Sequence, residues 1–206
     1  MAKIFIEDEE IIVSYKETKE SGEHIIEKDD YIMRSFLRTE FKASIFSYCE
    51  FEKILISKTK RFNEEYYKFV LFNDKESKAW NIIELSVKLD IKIKRMRDDI
   101  FVVIGDNKGA DVTSQVSFCK LKPSLKVEEI AINFSRLNEI LFLPKDNILL
   151  SYSDQDKIDD NIYHTLAVYN HDGILQKTVY EYSEKDREQY SYRVEGGKIK
   201  VTKHNK

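Results

Sequence analysis

The feature that most constrains this chain is a recurrence. Short apolar runs at residues 11–15, 54–58, 101–105, 148–152 and 199–203 end in similar ways, and their first residues (Ile11, Ile54, Phe101, Ile148, Ile199) stand 43, 47, 47 and 51 apart. A turn precedes each run, and a polar loop and at least one more apolar run follow each of the first four. A unit of that length carries several short strands, so the sequence predicts successive copies of a small antiparallel module stacked side by side.

The best copy is Leu141-Phe142-Leu143, a turn of Pro144-Lys145-Asp146-Asn147, and Ile148-Leu149-Leu150-Ser151-Tyr152. A partner run, residues 163–170, is joined through His171-Asp172-Gly173 to residues 174–180. Elsewhere β-branched runs flank an acidic break at residues 7–10, which favours a hairpin. Leu85, Val87, Leu89, Ile91 and Ile93 alternate with Ser86, Lys88, Asp90 and Lys92, predicting one strand with a wet face and a core face. Gly196-Gly197 between two alternating runs predicts a tight hairpin, because both turn positions need positive φ.

Two stretches admit either structure. In 29–49, Met33, Leu37, Phe41 and Ile45 recur every four residues behind Asp29 and Asp30, as in a capped helix. In 124–141, Val127, Ile130, Phe134, Leu137 and Leu141 have helical spacing behind Ser124, yet the same residues fit two short strands. The fold class is therefore mainly β and antiparallel, a propeller-like repeat of four-stranded modules in a single β-rich domain over 1–206. The alternative is an α+β antiparallel sheet with one or two helices at 29–49 and 124–141. A period of roughly 40–50 residues with several strands per unit is the spacing of propeller blades.

On the residues 147–152 and 166–175, with the turn Tyr169-Asn170-His171-Asp172-Gly173, the chain resembles one blade of the bacterial six-bladed, TolB-like β-propellers; residues 66–75 are a looser second match. The resemblance implies a ring-shaped binding scaffold. Tyr180, Tyr182, Tyr190 and Tyr192 also give the end of the chain a likeness to tyrosine-rich YD-type hairpins, where aromatic residues pair across strands.

Composition excludes several classes of function. With 206 residues, 42% of them apolar, the chain buries a core without a disulfide or metal staple. Lys+Arg 34 against Asp+Glu 37 leaves −3, with the signs interspersed, which is no basic face for nucleic acid. No apolar run is long enough for a membrane helix, and the N-terminus lacks a signal-peptide pattern. The expected compartment is the cytoplasm as written, or the periplasm or cell surface if a signal has been removed. Cys49 and Cys119 lack partners at metal-ligand spacing and are expected to be two buried thiols.

No motif supplies chemistry. The acidic stretch Asp154, Asp156, Asp159 and Asp160 has Asp159 and Thr165 where an EF-hand loop needs Gly and Glu. Residues 105–109 lack the frame of a phosphate loop, and no serine lies in a nucleophile elbow. No catalytic set, metal ligand or cofactor is assigned. The expected function is non-catalytic binding of a protein or glycan partner through loop tips and exposed aromatics, with Tyr152, Tyr163, His164, Tyr169 and His171 as binding residues. The competing expectation is a hydrolase or lyase acting on sugars or esters, whose residues converge from several strands.

Overall fold

The computed structural model describes residues 3–11, 43–61, 64–106, 113–155, 160–186 and 188–205. These residues are almost wholly β. The first sheet is a meander of β3 (Ala43–Ser47), β4 (Glu52–Arg61), β5 (Glu64–Asn73) and β6 (Lys78–Ser86). A second meander follows, of β7 (Asp90–Arg97), β8 (Ile100–Asp106), β9 (Ser114–Leu121) and β10 (Val127–Phe134). A third comprises β11 (Arg136–Leu143), β12 (Asn147–Gln155), β13 (Ile162–Asn170) and β14 (Leu175–Ser183), and the hairpin β15 (Glu188–Glu195) and β16 (Lys198–Asn205) comes last. The N-terminal hairpin, β1 (Ile4–Ile6) and β2 (Glu9–Ile11), widens the middle sheet to six strands, with β1 parallel to β7 and every other pairing antiparallel. Ile54, Phe101 and Ile148 all lie near the start of the second strand of their four-stranded meanders, and Ile199 lies in the second strand of the last hairpin.

The middle sheet is covered on both faces. Side chains of a strand alternate between faces. Phe101 and Val103 of β8 accordingly join Ile54, Ile56, Phe69, Leu71 and Trp80 of the first sheet. Val102 and Ile104 join Ile148, Leu150, Ala167 and Tyr169 of the third. This explains the unbroken run Ile100-Phe101-Val102-Val103-Ile104, which has no polar face because neither face meets water. Trp80 seals the first seam by donating its Nε1–H to the Lys122 carbonyl at 2.9 Å, in the β9–β10 turn.

The stretch 124–141 is two strands meeting at Ser135, not a helix. Its helically spaced residues do not share a face: Val127 packs on the core with the first sheet, Phe134 and Leu137 on the core with the third, and Ile130 is 48% exposed. The β11–β12 register shifts between Leu137 and Glu139, so a bulge at Asn138 reverses the alternation. Leu137, Ile140 and Phe142 then all pack on the same core as Phe134. Of 29–49, residues 29–42 lie outside the described residues, and the rest begins with strand β3. The run 85–93 is likewise corrected: Val87 to Leu89 turn the chain from β6 into β7. Alternation survives the turn because Leu85, Leu89, Ile91 and Ile93 all reach one inter-sheet core, with Val87 packed at its border. Gly105 lacks a side chain where Leu89 Cδ1 would stand 2.8 Å from an added Cβ, so β8 and this turn approach closely. Cys119 is buried as expected, but Cys49 is exposed and the two are unbridged.

The far face of the third sheet is closed by the last hairpin. Leu149 and Leu166, both fully buried, lie on that side. The Gly196-Gly197 turn has φ of 55° and 75°, as its sequence predicts. It sets Gly197 against the Pro144 ring.

Because β8 supplies both cores, Phe101→Ala is expected to cost about 3–5 kcal/mol, the range for emptying a buried aromatic site. Val201→Ala, on the half-exposed hairpin, should cost less than about 1 kcal/mol. Urea unfolding midpoints of the two variants check this; equal losses would refute the two-faced core.

Candidate functional site

Two clusters of polar and aromatic side chains join the sheets. The first lies between the first and middle sheets. Arg95 of β7 donates from Nη1 to Glu52 Oε2 at 2.5 Å and from Nη2 to the Asp98 carbonyl at 2.7 Å. Its guanidinium lies 5.2 Å from the ring centroids of both Tyr48 and Phe101. The Tyr48 hydroxyl and the Arg95 amide both donate to Glu7 Oε1, in the β1–β2 turn, at 2.5 Å. Hydrogen bonding to Arg95 holds the Glu52 carboxyl below its ordinary range, against the opposing effect of burial. Burial, reinforced by Glu7, pushes the Tyr48 phenol well above its usual range. The arrangement ties the N-terminal turn to two sheets. The Arg95–Glu52 pair is only about 17% exposed on each side and its donors are taken up within the protein, which makes it a clamp rather than a receptor.

The second cluster lies between the third sheet and the last hairpin. Register places Ser153, His164 and Tyr182 in one row across β12, β13 and β14, and Leu166 and Tyr180 in the next. His164 Nδ1 is 2.9 Å from Ser153 Oγ, and Nε2 is 3.0 Å from Glu184 Oε1. Asn138 Nδ2 donates to Ser153 Oγ at 3.0 Å. The Glu184 carboxylate can only accept, so Nε2–H donates to it, and in the neutral ring Nδ1 then accepts the Ser153 hydroxyl proton. The His164 ring stacks on Tyr182 at 4.9 Å. Tyr190 of β15 stacks on Tyr180 at 5.0 Å and leans on Tyr182 at 5.5 Å. The Lys203 ammonium lies 6.0 Å over Tyr190. Tyr192 donates its hydroxyl to the Glu139 carboxylate. Burial raises the phenol pKa of Tyr180, Tyr182 and Tyr192; the Glu139 hydrogen bond adds to it at Tyr192, and the Glu184 charge at Tyr182. His164, Tyr180, Tyr182, Tyr190 and Tyr192 are each partly exposed, so the cluster is at once a seam and a surface.

The five expected binding residues do not converge. Tyr152 and Tyr169 face the middle sheet. The Tyr152 ring is 4.3 Å from Phe134, and its hydroxyl bonds Tyr169 and Thr165. Burial carries its pKa upward, and Tyr169 is only 7% exposed, so the pair belongs to the core. Tyr163 sits opposite Asp154 and Ser183 on the same side of β13, half-buried. His164 points the other way, into the tyrosine cluster. His171 is in the β13–β14 turn, at the other end of the strand, with Nε2 3.4 Å from Asp172 Oδ2.

Asn138, Ser153 and Glu184 carry no signal in the sequence, since three strands must pair before they meet. The alternation of Tyr180 with Tyr182 and of Tyr190 with Tyr192 is the one legible trace of this site. Of the acidic stretch, residues 156–159 lie outside the described residues. Among the described residues no group of three or more His, Cys, Asp or Glu is placed to hold a metal ion, and no helix is long and apolar enough to cross a membrane. No family model, curated protein or solved structure matches the chain.

The clamp predicts a pH dependence. A carboxyl depressed on folding contributes stability that is present above its unfolded value and lost as pH falls through the lower folded value. Thermal melting followed from pH 7 down to pH 2 should show an acid-labile increment below the ordinary glutamate range, about pH 4. That increment should be absent in Glu52→Gln. Arg95→Met, which strands Glu52, should cost about 3 kcal/mol at pH 7.

Proposed function

We propose that this chain is a non-catalytic binding domain, built as a propeller-like repeat, that holds a protein or glycan partner against the cluster of His164, Tyr180, Tyr182 and Tyr190. What supports the repeat is the equivalent placement of Ile54, Phe101 and Ile148 in three successive four-stranded meanders. The observation that carries the binding reading is the half-exposed stack of one imidazole and three phenol rings, bordered by Glu184 and Glu139. Aromatic side chains carry interface energy at low entropic cost, and hydroxyls and carboxylates beside them orient a polar partner. The rings stand on hydrogen-bonded strands and against one another, so the surface is organised before a partner arrives.

One observation favours a second reading, a hydrolase acting on esters. Ser153, His164 and Glu184 form a chain of a hydroxyl, a base and an orienting acid within hydrogen-bond reach, the signature of an activated nucleophile. Ser153 is only 6% exposed, however, and its hydroxyl is already engaged by Asn138 and His164. Direct cross-strand pairing of Ser153 with His164 accounts for their proximity without catalysis.

The experiment is a panel of immobilised neutral oligosaccharides and extended peptides, probed with the wild-type chain and with Tyr182→Ala. Retention on one class, weakened about tenfold or more in the variant, is the expected result. Retention unaffected by the variant, or none at all, would refute the assignment. A fluorophosphonate probe separates the two readings: Ser153 should stay unlabelled, and labelling lost in His164→Gln would establish the hydrolase.

A further inference from the structure

Independently of that reading, we propose that the outer edge of β10 pairs with the β10 of a second copy of this chain, joining two middle sheets into one continuous sheet. A strand at a sheet edge offers unpaired N–H and C=O groups, and proteins protect such edges with short strands, bulges and charged or prolyl positions. The described edge strands bear these devices. β2 and β3 have three and five residues. β6, β11 and β14 pair through shifted register. β15 carries Arg193, and β16 carries Lys198, Lys200 and Lys203.

β10 differs. It runs eight residues, Val127–Phe134, in unbroken register with β9, without Pro, Lys or Arg, and no described strand pairs with its other side. Its two carboxylates turn back onto their own sheet. Glu129 Oε1 accepts from Ser117 Oγ at 2.8 Å and Gln115 Nε2 at 3.2 Å, and Glu128 lies 2.6 Å from Lys122 Nζ. Glu128 stays 67% exposed and Asn133 is exposed, but the middle of the strand is apolar. Ile130 is 48% exposed in the middle of the strand. The β13–β14 turn sets Gly173 beside it, next to Ile174 and Leu175, which are 56% and 49% exposed.

The second copy follows from the order of residues along β10. In an antiparallel pair with Ile130 on the two-fold axis, Ile130 meets Ile130, Glu129 meets Ala131 and Glu128 meets Ile132 of the partner copy. No like charges oppose each other, and the exposed isoleucine is covered by its own equivalent. A register centred on Glu129 would instead set carboxylate against carboxylate. Both glutamates already have partners in their own sheet, so a basic peptide gains little there.

Sedimentation velocity of the wild-type chain from about 1 µM to about 200 µM should show a monomer–dimer equilibrium. Ile130→Lys and Ile174→Lys should each move its midpoint upward by tenfold or more, the first because it sets two ammonium groups together at the axis, the second because it puts a charge into the apolar patch beside it. Ile174 lies in a turn outside the cores, so its variant tests the surface without threatening the fold. Thr202→Lys, on the exposed side of the last hairpin, should leave the midpoint unchanged. Slowed amide exchange along 127–134 at high concentration would place the contact on this edge. A wild-type chain that stays monomeric throughout, or a dimer that survives both isoleucine variants, overturns the proposal.

Discussion

Everything in this fold depends on a central strand, β8, whose apolar run is buried on both faces. β8 projects Phe101 and Val103 into one core and Val102 and Ile104 into the other, so the two cores share a single backbone layer. Close packing makes such a layer intolerant in both directions: a change on one face shifts the strand that supports the other. The first and third sheets are held through it and not by direct contact between their cores. The Arg95 clamp and the Trp80 hydrogen bond close the seam with the first sheet, where apolar contact alone would leave the sheets able to slide. A hydrogen bond fixes direction in a way that non-directional burial does not.

The seam between the third sheet and the last hairpin is built differently. It uses stacked phenol rings, an imidazole and glutamates in place of a closed apolar core. The outward side of the hairpin is polar: Arg193, Glu195 and Lys200 pair with one another, and Ser191 bonds His204. Going from the middle sheet to the hairpin, the layers pass from a closed apolar core to a half-exposed aromatic layer to a charged surface. A partly wet aromatic layer is where a stacked β fold retains groups able to meet a ligand, since a fully closed core offers none. That gradient is why the binding reading attaches to the C-terminal end. The same logic applies at the side of the stack, where β10 lacks the protections its counterparts carry.

Much of the architecture was legible. The recurrence of apolar runs marks second strands, and Gly196-Gly197 marks its hairpin, because strand alternation and positive φ are local properties. The helical spacing over 124–141 misled because its residues lie on different faces of two strands: Val127 reaches one core, Phe134 and Leu137 the other, and Ile130 stays exposed, and which face is covered depends on the sheets packed there. The alternation across 85–93 misled for the converse reason: a turn that stays within one core keeps the pattern of a strand. The candidate site was legible only in part. His164 was identified, but grouped with Tyr169 and His171, which strand parity and strand length send elsewhere.

By itself the sequence determined the class: short, mostly antiparallel strands in modules of similar length, enough apolar residues for cores, and no motif for metal, phosphate or nucleophile chemistry. Those are consequences of composition and local periodicity. Only the tertiary structure decided which faces are covered, that Arg95 locks two sheets, and that Ser153, His164, Glu184 and the four tyrosines meet at one seam. Each of these needs residues brought together by pairing register and sheet stacking, and neither is encoded in the spacing of any one segment.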